Sequence, residues 1–291
     1  MASSFRTDAI SIDRLDPSDL VETFAFLDRD PVMNVYLLAL LLRDALGQPR
    51  DEYWAARRGG EILGLLHLGA SGAVLPLGDD PAALRLLGDQ ARLRLSFIPR
   101  RFQVIGPAPP LEAFLQRFER SGLVPRLDRE QIFMTLEPAH LPAFERLPEL
   151  RSAGPEDVRL VHDSGALLRS EELEEDPRTV DPAAYRRRVE DECRDGHTHL
   201  WTDAEGLCFR ASVSALTADA AQVSGVYTPR ERRNRGLASL GLAELCMRLF
   251  ERSREICLFV NRINDPAIAV YRKLGFVRHA AWRSIFYDSL R

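Results

Sequence analysis

The sequence predicts an α/β protein made of two copies of one plan. Three observations carry this reading. Short β-type runs alternate with helical stretches along the whole chain. The order of elements in the first half returns in the second. The 291 residues are 45% hydrophobic and 28% charged, which suits a globular chain with one large core or two of ordinary size.

In the first half, ISIDRLDPSDLVETFAFL reads as a short strand and then a helix opened by Asp16 with Pro17 in its first turn. A second helix is expected from Pro31 to Ala45. EYWAARRGGEILGLLHLG is a hairpin about Gly59-Gly60, and FQVIGPAP is a strand running into a turn. LEAFLQRFERSG is a helix closed by Gly122, and EQIFMTLEP is a final strand.

The second half follows the same course. LRSAGPEDVRLVHDSGALL is strand, turn, Pro and helix. DPAAYRRRVEDECRDG is a helix capped by Asp181, with Pro182 at its start and Gly196 at its end. HLWTDAEGLCFRASVSAL is a hairpin about Glu205-Gly206, and AAQVSGVYT is a strand. GLASLGLAELCMRLFERS is a helix, and ICLFVN is a nearly unbroken apolar strand expected at the centre of a sheet. DPAIAVYRKLG is a helix closed by Gly275, and FVRHAAWRSIFY ends the plan. Pro17-Ser18-Asp19 aligns with Pro155-Glu156-Asp157, and Gly122 with Gly275, so the second copy is the longer between these marks. That is the pattern of a duplication in which one copy keeps or gains working loops. The expected domains are 1–140 and 149–291, with 141–148, in the proline-rich EPAHLPAFERLP stretch, as linker.

Charge and cysteines narrow the function. A net charge of −4 argues against nonspecific nucleic-acid binding, which runs on surplus Lys and Arg. MASSFRTDAISID lacks an apolar core after its charge, and VYLLALLL is too short to cross a bilayer, so cytoplasmic residence and no membrane partner are expected. The four cysteines form no CxxC pair and read as reduced, mostly buried thiols. Cys193, His197 and His199 make C-x3-H-x-H, but a turn entering a strand explains the spacing more simply than a metal, and no metal is expected.

The densest signal is VYTPRERRNRGLAS. A strand ends at Pro229, arginines follow, and a helix begins after Gly236. The first amides of a helix have no intrahelical acceptor and face positive dipole potential, so this junction suits a diphosphate. Arg232, Arg233 and Arg235 would stand around it. Gly236 would let the ligand approach the backbone, with Ala238 and Ser239 small for the same reason. Asn234 tolerates left-handed geometry. Neither GxxxxGK[ST] nor GxGxxG is present, so neither a Walker loop nor a dinucleotide fold is indicated. A solvated arginine-rich turn is the competing reading.

R-N-R-G-L-A, together with F-V-N-R-I-N-D-P-A-I-A-V-Y-R-K-L-G-F downstream, resembles the GNAT acetyltransferase superfamily, whose pattern is Arg/Gln-x-x-Gly-x-Gly/Ala. The order and spacing match over residues 222–278, with Asn234 standing where many relatives have Gly. LDRDPVMNVYLLALL resembles the amino-terminal domain of a bacterial tandem subgroup, while RLLGDQARLRLSFIPRRFQ lacks the phosphate loop. The resemblance therefore implies two GNAT-like domains in tandem, the first degenerate. It implies a mixed, mostly antiparallel sheet with flanking helices and a splayed strand pair.

It also implies an N-acetyltransferase that moves acetyl from acetyl-CoA directly to a primary amine of a small molecule, peptide or protein. QVSGVYT, with Val226, Tyr227 and Thr228, would face the pantetheine, and Ser224-Gly225 is where a bulge would open the strand. The Val226 N–H would donate to the thioester oxygen. Residues from Arg233 through Asn234, Arg235, Gly236, Leu237 and Ala238 to Ser239 would hold the diphosphate, with Asn264 and Ala267 at the thiol end. Tyr271 would protonate the leaving thiolate, or else is a packed aromatic whose tip finds any partner. Glu171, Glu172 and Glu175, in EELEEDP, are candidates to attract the amine and take its proton, or are a solvated helix end. The alternative from another class is a catalytically inactive CoA-binding sensor or structural partner. A homodimer is allowed, since strands such as WRSIFY would pair between copies or between halves.

Overall fold

The computed structural model describes residues 9–48 and 50–288; residues 1–8 of the expected non-secretory terminus lie outside them. The first half runs β1 (Ser11–Arg14), α1 (Leu20–Leu27), α2 (Val35–Asp44), β2 (Glu52–Arg58), β3 (Glu61–Leu68), β4 (Ala73–Gly78), α3 (Pro81–Leu93), β5 (Arg101–Pro107), α4 (Ala108–Phe118) and β6 (Pro125–Leu136). The second runs β7 (Arg151–Ser152), α5 (Val158–Leu173), α6 (Pro177–Val180), α7 (Pro182–Arg194), β8 (Thr198–Asp203), β9 (Gly206–Leu216), β10 (Ala220–Tyr227), α8 (Leu237–Leu249), β11 (Glu255–Asn261), α9 (Asp265–Lys273) and β12 (Val277–Asp288). Apart from the short α6, the two runs correspond element for element.

Local chemistry fixes most boundaries. Asp16 accepts from the Ser18 amide, Asp80 from Ala82 and Ala83, and Asp181 from Ala184, each with Pro in the first turn. Helix α2 starts later than Pro31. Asp30 accepts from the Met33 amide and the Asn34 side chain donates to Leu27, which holds 30–34 in turns. Strand β4 and helix α3 have no counterpart in the elements read from sequence. Pro76 interrupts the apolar run AVLPLG, yet the strand pairs with β3 all the same, Leu66 opposite Pro76.

The strands form one sheet in the order β1-β2-β3-β4-β5-β12-β6-β11-β10-β9-β8-β7. Only β4–β5 and β10–β11 are parallel. Strand β11 sits between β10 and β6, inside the sheet as its apolar run demands. The last strand of each half crosses over. β6 lies between β11 and β12, both of the second half, while β12 lies between β5 and β6, both of the first. The WRSIFY strand thus pairs between halves. At the crossing Phe133, Phe259 and Trp282 form one aromatic cluster, with ring centroids 4.9 to 5.6 Å apart. Helix α2 covers this cluster and packs onto β9 and β10, so the first half supplies a wall over the second half's sheet. On the opposite face, α8 and α9 pack on β9–β11, and α8 comes so close that a Cβ at Gly241 would lie 2.4 Å from the Phe209 ring.

The stretch after β6 is tied to α8 by a buried carboxylate. Glu244 accepts from Arg146, Arg248 and the Leu147 amide, and Arg248 also donates to the Leu147 and Leu150 carbonyls. The Arg146 hydrogen bond leads the effects that outweigh burial and hold Glu244 at about 2, below its ordinary 4.5. Its folded pKa is depressed, so its contribution is present above about pH 4.5 and is lost as pH falls towards 2. Glu244→Ala leaves Arg248 without its carboxylate and should cost about 3 kcal/mol. Urea titrations at pH 7 and pH 3 check this. The variant should fall well below wild type at pH 7 and the gap should shrink at pH 3.

Candidate acyl-transfer site

The site forms where β10 and β11 part. They pair from Ala220/Glu255 to Val223/Leu258, and beyond that β11 continues with β6 alone. Strand β10 bulges against β9 between Ser224 and Tyr227, with Gly225 at φ +61. Side chains cannot easily adopt that conformation, and the bulge falls where Ser224-Gly225 suggested it. The opening leaves backbone of β10, including Val226, without a neighbour on the β11 side.

Behind the opening, Thr228–Gly236 leads into α8. Gly236 is the N-cap at φ +77, no side chain caps the helix, and a Cβ there would meet nothing within 4 Å. Leu237, Ala238 and Ser239 thus begin a helix whose mouth is clear, and Asn234 is left-handed at φ +63. The equivalent junction in the first half is Asp79-Asp80. There the Asp80 carboxylate accepts from Ala82 and Ala83, so the chain's own acid fills the anion position.

The arginines divide by role. Arg232 is buried and bound by Asp203 and the Gly206 carbonyl, so it anchors the loop to the β8–β9 hairpin and is not placed for a diphosphate. Arg233 donates Nε to the Thr228 carbonyl (3.0 Å) and a terminal nitrogen to Glu171 (2.8 Å). Arg230 also binds Glu171 (2.8 Å). Arg235 is largely exposed, with Glu205 at 3.7 Å. Tyr227 and Thr228 are buried, and Thr228 Oγ1 has no hydrogen-bond partner among the described residues. A cavity of about 400 Å³ lies between α5 and the loop, against Ser170, Glu171, Tyr227 and Arg230.

The acidic cluster also divides. Burial opposes ionisation of Glu171, but Arg233 and Arg230 outweigh it and hold the carboxyl below its usual range. Glu175 pairs with Arg101 (2.7 Å) and Arg126 (3.4 Å) of the first half. Glu172 has no ion pair among the described residues. It is exposed at the end of α5, and the protein around it desolvates its carboxyl enough to push it up, with Arg169 opposing. Tyr271, on α9, is 6% exposed and packs on Phe276, and its hydroxyl has no hydrogen bond among the described residues. Burial raises its phenol, and the Glu172 charge adds to that rise. Asn264 uses Oδ1 to cap α9, accepting from Ala267 (3.2 Å), which ties both residues to the helix start.

Two features that lengthen the second copy meet here. Helix α5 has 16 residues where α1 has 8, and its extra turns carry Arg169 to Glu172. The long loop replaces Asp79-Asp80, and Glu171 joins the two through Arg230 and Arg233. The four cysteines are buried and unpaired. Burial lifts Cys193 to about 11 and lowers His199 to about 4. Among the described residues no group of His, Cys, Asp or Glu is placed to hold a metal, and no helix is long and apolar enough to cross a membrane.

Residues 207–285 match the family model described as FR47-like protein. A tandem GNAT protein from the clavulanic acid biosynthesis pathway is 19% identical, with 97% of this chain and 100% of that one covered at a TM-score of 0.58. A GCN5-related N-acetyltransferase from Sphaerobacter thermophilus is 17% identical over 96% of this chain and 94% of its own (TM-score 0.61). A GNAT-family acetyltransferase from Colwellia psychrerythraea is 12% identical over 95% and 99% (TM-score 0.56). No curated protein sequence matches significantly. The chain has the GNAT fold, twice over. It is a tandem GNAT-fold protein whose second half is FR47-like across β9 to β12.

Proposed function

We propose that the second half is an N-acyltransferase that takes acetyl from acetyl-CoA and delivers it to a primary amine. The parting of β10 from β11 in front of an uncapped helix mouth carries this reading. The matching junction of the first half lacks the open amides, because Asp80 accepts from Ala82 and Ala83 there. Leu237, Ala238 and Ser239, with Arg233 and Arg235 beside them, would hold the diphosphate. Free β10 backbone at Val226 to Thr228 would bind the pantetheine arm, and the start of α9 at Asn264 and Ala267 would border its thiol end.

Transfer needs one N–C bond made and one C–S bond broken. Glu172 would take the proton of the attacking amine, directly or through water, and its raised carboxyl is a better base than an ordinary glutamate. The Val226 N–H would donate to the carbonyl oxygen as charge collects there. Tyr271 would give its proton to the departing sulfur. The first half, plugged at Asp80, would serve as wall and structural partner. These assignments keep 149–291 as the acting region and 1–140 as the degenerate copy.

The test is thiol release from acetyl-CoA with a panel of amines, alongside a thermal-shift titration with CoA. A ligand bound only by the native state raises its melting temperature. Amine-dependent thiol release together with that rise is expected. A rise without any release would mark a sensor instead.

A further inference from the structure

The sheet face flanked by α2 and α5 has chemistry that the acyl donor does not use. It carries Ser212, Ser214, Gln222 and Ser224. Gln222 donates to Ser214 (2.9 Å), and Thr198 and Ser212 share a hydrogen bond (2.8 Å). Such a polar strand face lies between walls from both halves. Two arginines of this half, Arg210 and Arg169, make no salt bridge among the described residues. Arg210 is 4% exposed and donates only to neutral atoms, the Val161 carbonyl (2.8 Å) and the hydroxyls of Ser164 (3.3 Å) and Ser212 (3.5 Å). Its Nε is buried without a partner, and a terminal nitrogen lies 4.0 Å from where a Cβ on Gly225 would stand, at the bulge. Arg169 is half-buried, its Nε is also without a partner, and it has no ion pair among the described residues. Two of the nearby carboxylates are committed elsewhere, Glu175 to Arg101 and Arg126, and Glu192 to Arg188 (3.0 Å), while Glu172 feels the Arg169 charge without an ion pair among the described residues. Guanidinium groups taken from water without a counter-charge are costly, and a ligand carboxylate would offset that cost. Glu172 lies one turn along α5 from Arg169, on the same side of the helix.

Resting on the transfer reading above, we propose that the acceptor is an α-amino acid. Arg169, backed by the Arg210 charge, binds its carboxylate while Glu172 receives its amine.

The test uses the full chain, acetyl-CoA, and the standard α-amino acids, each paired with its α-carboxamide. The expected result is at least one amino acid turned over with a kcat/KM about tenfold or more above its amide. Arg169→Gln should abolish that preference by raising KM for the acid, with CoA affinity and melting temperature kept, and Arg169→Lys should restore part of it. Equal use of acid and amide overturns the proposal, as does turnover only of amines outside the panel that lack a carboxylate. In both cases the transferase reading stands. If neither CoA stabilisation nor thiol release occurs, the transferase reading falls and this proposal with it.

Discussion

Cleaved between Pro142 and Ala143, the chain should give two pieces that fold only together. The cut falls in an exposed stretch before Arg146 and Leu147, which hold Glu244. The reason lies in the crossed strands. Alone, the second piece loses β6 from between β11 and β12, and loses β5 from the other edge of β12. It would expose three unpaired strand edges, one of β11 and both of β12, at what is now the middle of the sheet, and bare edges of that kind aggregate. It would also uncover Phe259 and Trp282, which now pack on Phe133 under α2. The first piece would lose β12 from between β5 and β6, and with it Ile285 and Tyr287 from its core. Expressed separately, each piece should aggregate or show no cooperative thermal transition. Co-expressed, they should purify as a 1:1 complex with one sharp transition. A sharp transition for residues 143–291 alone would contradict this account of the sheet.

The second large effect concerns transfer itself. Tyr271→Phe should lower kcat by about 100-fold, the ordinary contribution of a placed proton donor, and leave acetyl-CoA affinity unchanged. The change is clean because the hydroxyl makes no hydrogen bond among the described residues and the ring keeps its contact with Phe276. Loss of affinity or stability in place of rate would show that Tyr271 is only packing. Glu172→Gln should cut kcat/KM by a similar factor and remove a limb of the pH profile. A base must be ionised to act, so wild-type activity should rise with pH through the Glu172 pKa, which burial raises. In the variant that rise should vanish.

Much of this was legible in the residues. Caps such as Asp181-Pro182 and turns such as Gly59-Gly60 are local, and they placed most helices and hairpins. The αL demand at Gly236 and Asn234 is also local, and both residues announce it. The strand crossing was not legible. β6 and β12 look alike whether they pair at home or across, because pairing partners depend on chain topology and not on local pattern. The sorting of charges was hidden for a related reason. Arg232 and Arg233 are neighbours in sequence, but one turns inward to Asp203 and the other to Glu171. The same holds for the acidic run, where the periodicity of α5 gives Glu171 and Glu172 different surroundings. Helix α3 is not legible although Asp80-Pro81 repeats the signal of Asp181-Pro182, because Pro76 breaks the apolar run that would frame it.

The most direct measurement is calorimetric titration of CoA into the wild-type chain and into Gly236→Val. Valine at φ +77 strains the backbone and puts its side chain into the clear mouth of α8. The account predicts one CoA per wild-type chain, and an affinity at least about tenfold weaker in the variant at an unchanged fold by circular dichroism. Two equivalents per chain, or equal affinity in the two proteins, would contradict it.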